Sequence, residues 1–341
     1  MLPALLVALT TTALIHAPKE YDPGKMSTIK TDDVHYAIRV PKKLDKKNGT
    51  KAIVFIHGSN MRGENYAGSL ETASELKDWI LIGPTGPNQT GENMYNHDPG
   101  DEKYVGEIIE DVEERLKVKI GRLYVGGHSQ GGFLSHAVAA HLPERVDGVL
   151  AVSSGSWATA RKLMKKGKGR SQQQLPIAIV HAQNDPVVGF RASVAVYDGY
   201  VKAKHEAVRL FIPAEGQHMF MRLPIMDAIH WLELMNDDDK GDVSKVLSKT
   251  KASADPRTAW DAAHRLKRLS KGKSSKADGT IKSLKIEVKK RAKDLEKRLK
   301  KAQKKGADPE LIEEAWLFLG DYGMLEPDGG WREALEKAIK S

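Results

Sequence analysis

The 341-residue chain contains no cysteine. That excludes disulfides, thiolate nucleophiles and thiolate zinc sites together. It also excludes a lipid-modified cysteine behind a leader. The absence does not fix a compartment, because a chain of this length builds a large core without cross-links. No apolar run approaches the roughly 20 residues that a bilayer-spanning helix needs. Aromatic residues make up only 6% of the chain, and few of them interleave with its lysines. Base stacking on nucleic acid is therefore not suggested. Acidic residues are scarce in one place only. Residues 265–305 hold 18 Lys or Arg against 4 Asp or Glu, so +14 of charge sits there and the remainder of the +9 chain sums to −5. The basic character belongs to that segment and says nothing about the rest.

What is present begins with a 40% apolar fraction, enough for one large domain and a smaller one. Residues 1–17 form an apolar stretch that ends on small residues, with the length of a signal-peptide core. The reading is export to a periplasmic or extracellular space. No Lys or Arg precedes the stretch, and an N-terminal segment packed on the domain is the alternative.

From Val34 to Asn236, short β-rich runs alternate with helical patterns. The runs are 34–40, 52–56, 79–82, 122–125, 149–152, 177–180 and 208–212. Most are continuously apolar, as parallel strands covered on both faces should be. Helical spacing follows at 105–118, 130–141, 190–204 and 221–234. Such alternation predicts an α/β fold with a mostly parallel sheet, helices on both faces and right-handed crossovers. The limits expected are 18–236 for this domain, 237–254 for a solvated linker and 255–341 for a basic helical appendage. The acidic run at 237–242 does not fit a calcium loop, because its glycine is misplaced and no Glu closes it. In the appendage, Asp255-Pro256 and Asp308-Pro309 each read as an N-cap followed by Pro at the first helical position. Leu284, Val288, Ala292, Leu295, Leu299 and Ala302 form one apolar stripe on a Lys-rich helix.

The chemistry centres on Gly127-His128-Ser129-Gln130-Gly131. The pattern follows a predicted strand and opens a predicted helix, so Ser129 should stand on a tight strand-to-helix turn. Side chains at the flanking positions would clash there, and glycine removes them. The helix N-terminus behind the serine favours developing negative charge. The alternative is a plain glycine-rich turn.

A serine hydroxyl needs a base. His218 follows the last predicted strand in a loop of small and polar residues, and is the candidate. Position argues against the other histidines. His128 lies within the elbow, pointing elsewhere, and His136 and His141 lie on the following helix. His205 is on a charged stretch, and His230 is mid-helix beside Trp231 as a core residue would be. His181, at a strand end, is the chief competitor. Asp185, stiffened by Pro186 just past a strand, would hold the imidazole tautomer; an N-cap is its other reading. The order Ser129, Asp185, His218 matches one hydrolase architecture and neither the chymotrypsin nor the subtilisin order. Oxyanion donors are the backbone N–H of Gln130 and one from the Gly58 turn, Ser59 or Asn60.

Together, Ile56-His57-Gly58, the 127–132 elbow, Asn184-Asp185-Pro186-Val187-Val188 and Gly216-Gln217-His218 resemble the α/β-hydrolase superfamily. The flavour is that of its compact serine esterases: the phospholipase/carboxylesterase, dienelactone hydrolase and feruloyl-esterase or polyhydroxybutyrate-depolymerase-like groups. The resemblance covers about 200 residues in four separated motifs, and the basic C-terminal region is not part of it. It implies an eight-stranded sheet with the triad at its C-terminal edge, an acyl-enzyme mechanism on carboxylic esters, and no cofactor or metal. The triad does not separate ester from amide. A non-catalytic binding protein of the same fold is the other class, but no triad member is missing.

About 23 residues separate the expected strand end near Ser153 from Ile177, which leaves little room for a large cap. An open site would accept a small-molecule or polymer-borne ester. Asn60, His128 and Trp157 are pocket candidates, and Trp157 reads equally well as core. The Lys-rich helix 281–305 is read as a solvated helix paired with those of Trp316 and Trp331, in preference to a contact with an anionic surface. Nucleic acid is not expected as a partner.

Overall fold

The computed structural model describes residues 14–16, 21–157, 175–205, 207–213, 216–249, 256–304, 306, 308–325 and 330–340. Eight strands form one sheet: β1 (Met26–Lys30), β2 (His35–Arg39), β3 (Thr50–Ile56), β4 (Ile80–Pro84), β5 (Ile120–His128), β6 (Val146–Val152), β7 (Ile177–Val180) and β8 (Val208–Phe211). Their order across the sheet is β1-β2-β4-β3-β5-β6-β7-β8. The β1–β2 and β2–β4 pairs are antiparallel, and all other neighbours are parallel.

Successive side chains of a strand point to opposite faces, so a strand covered on both faces has no polar side to show. β3 is the example. Ala52, Val54 and Ile56 enter one apolar cluster, and Ile53 and Phe55 enter another. Helices α1 (Gly63–Glu71), α2 (Glu102–Leu116), α3 (Gln130–His141), α4 (Arg191–Lys202) and α5 (Arg222–Asn236) supply the covering layers. In α2, Val105, Ile108, Ile109, Val112 and Leu116 are all buried, as their spacing predicts.

Because β3 and β5–β8 are parallel, their C-terminal ends share one edge. Beyond those ends come Gly58 after β3, Ser129 after β5, Asp185 after β7 and His218 after β8. Residues far apart in sequence are thereby delivered to one edge.

The C-terminal region corrects the expected linker. Residues 240–249 form a helix, α6 (Lys240–Lys249), with Val243 and Leu247 buried against Ala262, Ala263 and Leu266. An apolar i, i+4 pair among the charges gives this segment a face to bury. Helices α7 (Pro256–Leu269), α8 (Ser275–Gln303), α9 (Pro309–Tyr322) and α10 (Trp331–Lys340) follow. Asp308 caps α9, its side chain accepting from the Leu311 N–H at 3.1 Å with Pro309 in the first turn; Asp255 lies outside the described residues. Leu284, Val288, Ala292, Leu295 and Leu299 of α8 are buried in the same cluster as Phe190, which precedes α4, and Val194 and Tyr197 of α4. The C-terminal helices thus share the main core with the sheet domain. Gly320 of α9 meets β8 so closely that a Cβ there would lie 2.5 Å from the Leu210 carbonyl oxygen.

Of the apolar stretch 1–17, Leu14–His16 pair antiparallel with Lys43–Asp45. The other residues of that stretch lie outside the described ones. Among the described residues, no helix is long and apolar enough to cross a membrane.

Candidate active site

Ser129 follows β5 directly and has φ 53° and ψ −122°, a conformation that a non-glycine residue holds only when its surroundings impose it. The neighbours show what imposes it. The Ser129 N–H donates to the Val152 carbonyl of β6 at 2.9 Å, while the N–H groups of Gly132 and Phe133 reach the Ser129 carbonyl. A Cβ on Gly131 would stand 2.2 Å from the Ile56 carbonyl oxygen, and one on Gly127 would stand 2.4 Å from the Gly131 carbonyl carbon. Only glycine allows β3, β5 and α3 to close on the serine at this distance.

Gly58 belongs to the same knot, since a Cβ there would sit 3.4 Å from the Ser129 Cβ and 3.5 Å from the His128 Nδ1. The turn it occupies is held by His57. Gly86 N–H donates to His57 Nε2 at 3.0 Å, so the ring proton is on Nδ1, which donates to the Gly58 carbonyl at 2.6 Å. A trans peptide points its N–H opposite to its C=O, so that bond also fixes the direction of the Ser59 N–H. Ser59 is exposed. Asn60 is tied elsewhere: its N–H donates to Asn96 Oδ1 at 2.7 Å, and its own Oδ1 accepts from Thr90 at 2.8 Å. Gln130, at the first position of α3, has its side-chain oxygen engaged by the His97 N–H at 2.9 Å. Its backbone N–H is among those that a helix leaves without an intrahelical partner.

His218 Nδ1 lies 2.8 Å from Asp185 Oδ2, in a pair whose side chains are 16% and 0% exposed. The other carboxylate oxygen accepts from the N–H groups of Val187 and Val188, each at 2.9 Å. Burial alone would push the Asp185 carboxyl up. The hydrogen bonds from His218, Val187 and Val188 outweigh it and hold the group below its ordinary range. The competitor His181 also touches Asp185, with Nε2 3.2 Å from Oδ2, but it is wholly buried and both its ring nitrogens are engaged. Of the two histidines on the carboxylate, only His218 has an edge open to solvent.

Three expectations about histidines need correction. His128 does not point elsewhere: its buried ring lies 4.7 Å from that of His218 and 4.9 Å from that of Tyr66. Burial pushes its pKa down to about 4. His205 is buried against Tyr200, and His230 is exposed. Helix phase decides the position of His230, and the loop and strand-end geometry that places His205 and His128 is not encoded in a short stretch of sequence. Trp157 is half-buried, packed on the main core with its ring 6.2 Å from that of Phe133. The segment 158–174, where the question of a cap falls, lies outside the described residues.

The sequence reading missed the hairpin of Asn88–Gly91 and Met94–Asn96, which supplies Asn96 and His97 to this edge. No motif marks it. Among the described residues, no group of His, Asp or Glu has the arrangement of a metal site.

Residues 40–236, more than half of the chain, match the phospholipase/carboxylesterase family over their whole span. The chain belongs to that family. It is 25% identical to "Probable feruloyl esterase C" of Aspergillus oryzae over 62% of this chain and 80% of that protein. It is also 25% identical to acyl-protein thioesterase 1 of Cryptococcus neoformans, over 43% and 71% respectively. Among solved structures, the acetyl xylan esterase of Aspergillus awamori is 15% identical, with a TM-score of 0.48 over 61% of this chain and 99% of that one. The family match stops at the end of α5, so the helices from α6 onward are an addition to the phospholipase/carboxylesterase unit.

Proposed function

We propose that this ester hydrolase works through an acyl-enzyme on Ser129, with His218 as base and Asp185 as the group that orients it. The observation that carries the reading is the Asp185–His218 hydrogen bond at the sheet edge where Ser129 is held in its strained turn. In the first half-reaction, Ser129 Oγ attacks the ester carbonyl and its proton passes to His218 Nε2. The charge that develops on the carbonyl oxygen is met by the backbone N–H groups of Ser59 and Gln130. Ser59 is preferred to Asn60, because the Asn60 N–H already serves Asn96. The intermediate collapses, and the leaving alcohol takes the proton from His218. Water then repeats the sequence and releases the acid.

Three apolar residues are strongly exposed next to the Asp185–His218 pair in sequence: Val187 at 68%, Met219 at 53% and Leu223 at 78%. They favour an acyl or alcohol group with apolar surface. The relatives' names span a feruloyl ester and an acyl-protein thioester, so a bulky carrier of the ester fits the reading.

The test is labelling by a fluorophosphonate probe. Wild type should label, and folded Ser129→Ala should not. A folded wild type that fails to label would overturn the mechanism. A series of p-nitrophenyl esters of rising acyl length then sizes the pocket, with medium chains expected to exceed acetate in kcat/KM.

A further inference from the structure

Asp185 is held by two histidines, and only one of them serves the mechanism above. We infer that His181 is a positioning residue, a second imidazole that clamps the Asp185 carboxylate from behind and limits how strongly it draws on His218. The inference rests on the triad reading.

Proton accounting places a proton on His181 Nε2. Its Nε2 faces two acceptors, the Val188 carbonyl at 2.8 Å and Asp185 Oδ2 at 3.2 Å. Neither offers a proton, so Nε2 must carry one. Its Nδ1 lies 2.6 Å from the hydroxyl of Ser193, which itself lies 2.6 Å from the Ser154 carbonyl. The single hydroxyl proton of Ser193 serves either the Ser154 carbonyl or Nδ1 at any moment, and Ser193 holds the plane of the ring from its far side. Phe190 meets the ring edge-on at 5.8 Å. His181, Ser193 and the Asp185 side chain are wholly buried, and Ser154 is nearly so.

Ser154 links this chain to the elbow, since a Cβ on Gly132 would lie 2.5 Å from the Ser154 hydroxyl. The second imidazole is thus locked to the same framework as Ser129, and Asp185 inherits that position. The clamp also has an electrostatic consequence. Every N–H donated to a carboxylate makes it a weaker stabiliser of another cation. Asp185 accepts from Val187, Val188, His218 and His181. Among the described residues, the titratable rings near His218 are His128, in contact, and His181, across the carboxylate.

The test compares full-length His181→Leu, His181→Gln and Ser193→Ala with wild type, by pH profiles of kcat/KM and kcat on a p-nitrophenyl ester. His181→Leu removes the donor. It should lower kcat about tenfold or more with little change in KM. It should also move the acid limb of kcat/KM to higher pH by roughly half a unit to one unit, because Asp185 then stabilises a charged His218 more strongly. A Gln amide nitrogen can take the place of Nε2, so His181→Gln should keep the wild-type acid limb. Ser193→Ala should give a smaller shift in the same direction, and it serves where His181→Leu does not fold. Fluorophosphonate labelling separates the two readings. A wild type that does not label removes the triad reading itself. Variants that label and fold yet keep the wild-type acid limb overturn the role of His181 alone.

Discussion

At the scale of the residue, the site is made of groups that each depend on a neighbour. Ser129 keeps its turn because Gly127 and Gly131 have no Cβ, and His218 keeps its tautomer because Asp185 accepts from Nδ1. Asp185→Asn should therefore leave the fold intact while kcat falls by about four orders of magnitude, since an amide nitrogen facing Nδ1 favours the wrong tautomer. Steady-state kinetics beside a denaturation curve checks this, and a loss of less than tenfold would remove Asp185 from the triad. Ser129, Asp185 and His218 could be singled out in the sequence, because four short motifs stood in order at predicted strand ends; the structure pairs Asp185 with His218. His181 was visible only as a rival to His218. That both rings share one carboxylate is a fact about distance between two loops, and no spacing in a sequence encodes it. The same holds for Asn96, which occupies the Asn60 N–H and so favours Ser59 as oxyanion donor in the proposed mechanism.

At the scale of the element, legibility followed apolar content. Strand β7 is Ile177–Val180, as its continuous apolar run predicts, and α3 is Gln130–His141. Strand β1, Met-Ser-Thr-Ile-Lys, went unread because it is a half-exposed sheet edge with no apolar side to signal it. Helix α1 buries only Gly63, Ala67 and Leu70, too little for a periodic stripe. The C-terminal helices carried a stronger signal, but it pointed to one another and not to the sheet. They join the sheet through the shared apolar core and through a buried polar network. Buried Arg257 of α7 pairs with Asp261 at 2.9 Å and donates to the Asp321 carbonyl of α9 at 2.7 Å. Trp231 of α5 donates to Asp261 at 3.1 Å, and Arg209 of β8 reaches the Asp321 carboxylate at 2.9 Å. Asp261→Ala takes from buried Arg257 the nearer of the two carboxylates that act on it, Asp321 being the other, and costs up to about 3–5 kcal/mol. The variant should lose stability on that order in urea titrations while still labelling with fluorophosphonate below its transition. A loss under about 1 kcal/mol would mean that the network does not hold these helices to the sheet.

At the scale of the whole molecule, the arrangement stores neutral histidines in the core. Burial pushes His57, His128 and His136 each down to about 4. In the unfolded chain they regain a value of about 6.5. Between those limits the unfolded state binds more protons than the native one, so stability must rise with pH. It is fully present above about 6.5 and declines as the pH falls toward 4, by up to about 1.4 kcal/mol per pH unit for each histidine. Asp185 does not contribute to that slope. Its folded value lies below the ordinary carboxylate value, so its contribution is fully present above that ordinary value and is lost as the pH falls from there through the folded value, beneath the histidine window. Urea unfolding at pH 7, 6 and 5 should therefore show a steep fall in stability with an unchanged m-value. His136 offers a check away from the candidate site, since its Nδ1 faces Tyr200 at 2.8 Å on the buried side of α3. His136→Asn cannot titrate, so a folded variant should show a slope shallower by about one proton. A stability that stays level from pH 7 to 5 would mean that these rings take up protons in the native core as they do in the unfolded chain, and His128 would then bring a positive charge against His218 below about pH 6.5.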